Sequence, residues 1–145
     1  MAATVIRSQQ RLDTGRNANL FRNTETAVGG SATTMMDAFS CSIFNRYSIQ
    51  IFNGDGSVVG VAKVWASLKD SPGAVGGSDW TQVGDDISIA TNSNALKAIS
   101  TTPVRWLGVN ATGNGADLTC LVYAEQVLWM ASPIYSNIVT VSEVA

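Results

Sequence analysis

The sequence predicts an all-β protein, a single jelly-roll-like antiparallel β-sandwich with an extended N-terminal arm and a C-terminal β tail. Three observations predict it. Short runs rich in Val, Ile, Trp and Tyr alternate with clusters of Gly, Asn, Asp and Pro. Arg46 to Phe52 sets Tyr47, Ile49 and Ile51 against Arg46, Ser48 and Gln50, the period of a strand with one buried face. No stretch keeps a helical period of useful length.

Taken in order, residues 1–34 show no sustained period and end in the flexible stretch Val28-Gly29-Gly30-Ser31. They read as an arm outside the core. The sandwich is expected over residues 35–126. Its best hairpin joins Arg46–Phe52 to Ser57–Leu68 through Asn53-Gly54-Asp55-Gly56, whose residues tolerate positive φ. In the second run Val58, Ala62, Val64, Ala66 and Leu68 share one face. Residues 71–78 are a loop, and short strands flank the Gly84-Asp85-Asp86 turn. Residues 95–100 are a further candidate strand. Pro103 opens a strand over 104–109, residues 110–115 turn the chain, and 117–125 form the last sandwich strand. Residues 127–145 are a separate tail. There Pro133 follows Leu128-Trp129-Met130, and Ile138, Val139, Val141 and Val144 give high β-propensity.

The 145 residues suit one domain. Hydrophobic residues make up 46% and charged ones only 14%, against about 25% in typical domains. The surface must therefore be built largely from Ser, Thr, Asn and Gly. The absence of His excludes His-dependent triads and His-containing zinc sites. Two cysteines, Cys41 and Cys120, are too few for a Cys-only zinc site or a disulfide scaffold. They read as buried free thiols. Asp85-Asp86 is the one adjacent carboxylate pair, but it lacks EF-hand spacing and reads as turn chemistry. No Gly-rich segment carries a P-loop Lys. The expectation is a non-enzyme with no cofactor and no metal.

The N-terminus lacks the apolar segment of about 7–15 residues that a secretory signal needs. Nothing is long enough to span a membrane as a helix. The expected route is synthesis in the cytoplasm, without a membrane partner. Asn110-Ala111-Thr112 is accordingly read as turn sequence rather than as a glycosylation site.

Arg7, Arg11, Arg16 and Arg22 are four of the nine basic residues. They sit on the arm, while the body is acidic. That balance favours a protein surface over nucleic acid as their partner. Of the four tryptophans, Trp80 and Trp106 are expected in the core and Trp129 at an intermolecular contact. The tail residues Ile138, Val139 and Val141 are expected to pair on a neighbouring subunit, because a free β-prone segment invites aggregation.

Val64-Trp65-Ala66-Ser67-Leu68-Lys69-Asp70, then Asp79-Trp80-Thr81-Gln82-Val83-Gly84, resembles a pattern of small β-sandwich structural proteins of tailed bacteriophages. Val104-Arg105-Trp106-Leu107-Gly108-Val109 and the Gly113-Asn114-Gly115 turn before Leu118–Val122 extend it. The resemblance covers roughly residues 43–124, and the chain departs from the pattern by the long loop 71–78 and its two arms. It implies a virion structural protein of the head decoration (cement) type. Such a protein binds the major capsid protein or other virion subunits on the outer capsid surface, as a homo-oligomer (dimer or trimer). The alternative is a neck, tail or fibre module with an adaptor, receptor-binding or carbohydrate-binding role.

Overall fold

The structure is a computed structural model that describes residues 10–11, 17–23, 25–41, 43–101 and 104–126. Every described element is a strand. In chain order these are β1 (Gln10–Arg11), β2 (Asn17–Arg22), β3 (Thr26–Ala27), β4 (Thr33–Ser40), β5 (Arg46–Asn53), β6 (Gly60–Ser67), β7 (Thr81–Ile89), β8 (Ser93–Ile99), β9 (Trp106–Thr112) and β10 (Asp117–Gln126). They form two antiparallel sheets. The first runs β1-β2-β10-β5-β8, with β3 also on β10, and the second runs β4-β9-β6-β7.

The core lies between the sheets. Tyr47, Ile49 and Ile51 of β5, with Leu118, Cys120, Val122 and Ala124 of β10, face Ala62, Val64 and Ala66 of β6 and Leu107, Val109 and Ala111 of β9. Each set occupies alternate positions of its strand, so the two-residue period visible in the sequence is the inward face. Leu68 leaves that face and is exposed.

Residues 17–23 and 25–34, expected in an arm, belong to the sandwich. β2 pairs with β10 over six positions, from Arg22 opposite Leu121 to Asn17 opposite Gln126. Phe21 is buried and stacks on Phe39 with ring centroids 4.4 Å apart, and it meets Phe44 edge-on. Asn23, also buried, interrupts the pairing and repairs it with its side chain. Its backbone N–H donates to the Cys120 carbonyl at 3.2 Å, and its Oδ1 accepts from the Cys120 N–H at 2.6 Å. Val28 joins the core, and Gly29 accepts from the N–H groups of Gly113 and Asn114. The boundary expected at residue 34 falls inside β4. The reason is that this pairing is non-local: Phe21 meets Val122 in β10, and no local period reports such a contact.

The expected hairpin is an arch instead. β5 lies in the first sheet and β6 in the second, so the chain crosses between layers at 54–59. None of the residues 53–56 takes a positive φ. Side chains hold the bend. Asn53, buried, donates through Nδ2 to the Val58 carbonyl at 2.7 Å and to the Ile89 carbonyl at 3.3 Å. Asp55 Oδ1 accepts from the N–H groups of Ser57 and Val58.

Two further boundaries differ. Residues 81–89 form one strand, with a bulge at 84–86 where Gly84 takes φ 71°, rather than two strands around a turn. Asn110-Ala111-Thr112 completes β9, with Asn110 buried, and the turn follows at Asn114-Gly115.

Candidate assembly surfaces

The outer faces of the two sheets are finished differently. On the second sheet, residues 68–80 fold back over β6 and β9. Gly108 of β9 leaves a notch, and a Cβ there would come within 2.6 Å of Val75 Cγ2. Gly76, at φ 84°, lies so close that a Cβ would meet Asn110 Nδ2 at 2.5 Å.

Two indoles fasten this loop, and a third links the strands beneath it. Trp65 Nε1 donates to Asn110 Oδ1 at 2.9 Å. Trp80 Nε1 donates to the Gly73 carbonyl and Trp106 Nε1 to the Lys69 carbonyl, both at 3.0 Å. Asp79 accepts from Lys69 Nζ at 2.8 Å and from the Gly73 N–H at 3.0 Å. The Lys69 bond, then the Gly73 bond, hold the Asp79 carboxyl below its usual range. Arg105 and Asp70 pair at the base of the loop.

Trp80 is buried as expected, although beneath the loop rather than between the sheets. Trp106 is a correction. The inward face of β9 is Leu107, Val109 and Ala111, so alternation turns Trp106 outward, where it is only half-buried.

The first sheet has no such cover among the described residues. Register places Phe52 beside Thr119 and Asn94, Leu96 beside Gln50, and Tyr123 beside Ser48 and Leu20, all on the outward side. Phe52 is 41% exposed, Tyr123 39% and Leu96 65%. Polar pairs flank them: Gln50 Nε2 donates to Asn94 Oδ1 at 3.1 Å, and Arg46 Nε lies 3.4 Å from Glu125 Oε2. A groove of about 290 Å³ runs past Tyr123 between Arg46, Ser48, Ala98, Ser100 and Glu125.

Arg22 is exposed at the end of β2, on the same outward side by its register with Leu121. Arg11 lies in β1, opposite Asn17. Arg7, Arg16, Trp129, Ile138, Val139 and Val141 lie outside the described residues. Phe52, Leu96 and Tyr123 were not singled out in the sequence. Their signal was available in part, since Phe52 breaks the polar series Arg46, Ser48, Gln50 on the outward face of β5.

Both cysteines are free and buried. Burial pushes the Cys41 thiol up to about 11 and the Cys120 thiol up to about 12. Among the described residues no group of three or more His, Cys, Asp or Glu could hold a metal ion, and no helix is long and apolar enough to cross a membrane.

No family model and no curated protein matches the sequence. Solved structures do resemble the fold. A structure of Bacillus endospore appendages, a family of disulfide-linked pili, aligns with TM-score 0.50 and 16% identity over 86% of this chain and 99% of that chain. A structure of PirA aligns with TM-score 0.45 and 11% identity over 79% and 96%. One of the infectious bursal disease virus Gx strain gives 0.38 and 9% over 79% and 37%. At 16% identity the first likeness is one of fold.

Proposed function

We propose that the chain is a non-enzymatic structural subunit of the head decoration type, which binds the outer surface of a capsid and associates with its own copies there. The observation that carries this reading is the contrast between the two faces. The second sheet is covered by the chain's own loop, which the Trp80 and Trp106 indoles hold. The first presents Phe52, Leu96 and Tyr123 to solvent. The three lie on one face, set among Ser48, Gln50, Asn94 and Thr119, and large apolar side chains left on one face of a small domain suit a binding surface. The strand orders support the jelly-roll-like form of this reading. Counting β2 and β4–β10 as strands one to eight, the sheets run 1-8-3-6 and 2-7-4-5.

The described tryptophans offer the receptor-binding alternative no free platform. Trp80 and Trp106 are bonded to the loop and Trp65 to Asn110, so the exposed ring which that alternative needs would be Tyr123, beside the groove. The chemistry of the pili named above does not transfer either. The chain's two cysteines are buried in the sandwich, so a disulfide link between subunits would require unfolding. Association must rest on non-covalent contacts repeated over many copies.

Immunogold electron microscopy of purified virions tests the reading. Label spaced over the heads is expected. Label confined to tails or fibres would favour the alternative, and unlabelled particles would refute both.

A further inference from the structure

The geometry points to the free edge of β8 as the docking site for residues 137–144 of a neighbouring copy, added to the first sheet as a further strand. The inference rests on the assembly reading for its choice of a neighbouring copy.

Sheet edges carry unpaired N–H and C=O groups, and soluble proteins blunt them. Among the described residues, the other strand edges are blunted or short. β4 departs twice from register with β9, between Thr34 and Met36 and between Met36 and Phe39. β7 carries the bulge of Gly84, Asp85 and Asp86. β1 and β3 are two residues long each. β8 is the exception. It pairs with β5 in unbroken register from Ser93 opposite Asn53 to Ile99 opposite Tyr47, and its other side has no strand partner among the described residues. It has no Pro, no Gly and one charge, Lys97.

Residues 137–144 fit that edge. In an extended strand Val139, Val141 and Glu143 would share one side. On β8, Lys97 lies on the inward side, opposite Ile49. An opening of about 380 Å³ between the sheet edges is lined there by Ile49, Val83, Asp85, Asp86, Ile87 and Lys97. Lys63 Nζ at 3.6 Å and Gln82 Nε2 at 2.8 Å already engage Asp86. A strand beside β8 would lay Val139 and Val141 over the opening and bring Glu143, the one charged residue of 127–145, to the side of Lys97. A neighbour held in this way would also lie beside Leu96, which belongs both to β8 and to the exposed face. One contact would then cover the open edge and the rim of the bare face at Leu96.

Hydrogen exchange of the full chain, dilute and assembled, tests this alongside two full-length variants, Thr140→Pro and Val141→Pro. Successive residues of a strand point their N–H groups to opposite sides, so one of the two prolines must remove a ladder donor. Amides of 93–99 are expected to slow on assembly. One of the two variants should abolish that slowing and weaken association by about tenfold or more. Fast exchange of 93–99 in a chain that does assemble would overturn the β8 site and leave the assembly reading standing. Protection already complete in the dilute monomer would mean that the chain's own segment pairs there, and would overturn the neighbouring copy. Association unaffected by either proline would overturn the segment. A chain that stays monomeric throughout would refute the assembly reading itself.

Discussion

Val75 rests in the notch that Gly108 leaves in the middle of the second sheet, so close that residue 108 has no room for a side chain. Loop and sheet are thus fitted to each other through missing methyl groups, at Gly108 in the sheet and at Gly76 in the loop. Gly108→Ala should push Val75 off β9, since backbone on one side and a branched side chain on the other leave little to yield. The expected cost is about 1–3 kcal/mol, the usual range for overpacking. Urea unfolding measures it, and tryptophan emission should shift to the red as the loop lifts from Trp65 and Trp80. An unchanged midpoint and spectrum would show that the loop is not packed as described.

Asn23 gives a second test. Its Oδ1 accepts the Cys120 N–H at 2.6 Å deep in the first sheet. Asn23→Ala leaves a buried amide without its acceptor, at a cost of about 1–3 kcal/mol. Because Asn23 lies between β2 and β3, the same measurement asks whether residues 17–28 fold with the sandwich. A variant as stable as the parent would return them to an arm.

These two residues mark where the sequence was legible and where it was not. Alternation in β5, β6 and β10 reports the inward face directly, because one side of each strand is buried. β2 offers one large inward residue, Phe21, and its partner lies in the last strand, so its place in the sheet leaves no local trace. Asn53-Gly54-Asp55-Gly56 reads correctly as a reversal. Whether a reversal stays in one sheet or arches to the other depends on which strands pair at a distance, and turn residues do not encode that. Trp106 fails for a related reason: its strand is buried on both faces, and only the loop packed over β9 explains why.

The Lys69–Asp79 pair predicts a pH dependence. Asp79 is held below its usual range, so its stabilising effect is complete above the unfolded carboxylate value of about 3.9 and is lost as pH falls through the lower folded value. The loop should hold at neutral pH and loosen only in strong acid, read as a change in tryptophan emission before the global transition. Asp79→Asn should remove that early change. Loosening already at pH 6 would contradict the assignment.

The thiols make a simple chemical prediction. With Cys41 and Cys120 buried and their thiols pushed up to about 11 and about 12, both stay protonated and shielded at pH 8. Alkylation should be negligible in the native protein and should reach both residues in denaturant, as mass spectrometry would show. Rapid native labelling of either would contradict their place in the core.

The bare face of the first sheet carries the functional account, and hydroxyl-radical footprinting of the full chain tests it most directly. In the assembled protein, Phe52, Leu96 and Tyr123 should lose most of the labelling they show in dilute solution, while Trp65 and Trp106 under the loop should change little. Equal labelling of the three in both states, or protection that falls on the second sheet instead, would contradict the claim that the first sheet is the face through which this protein assembles.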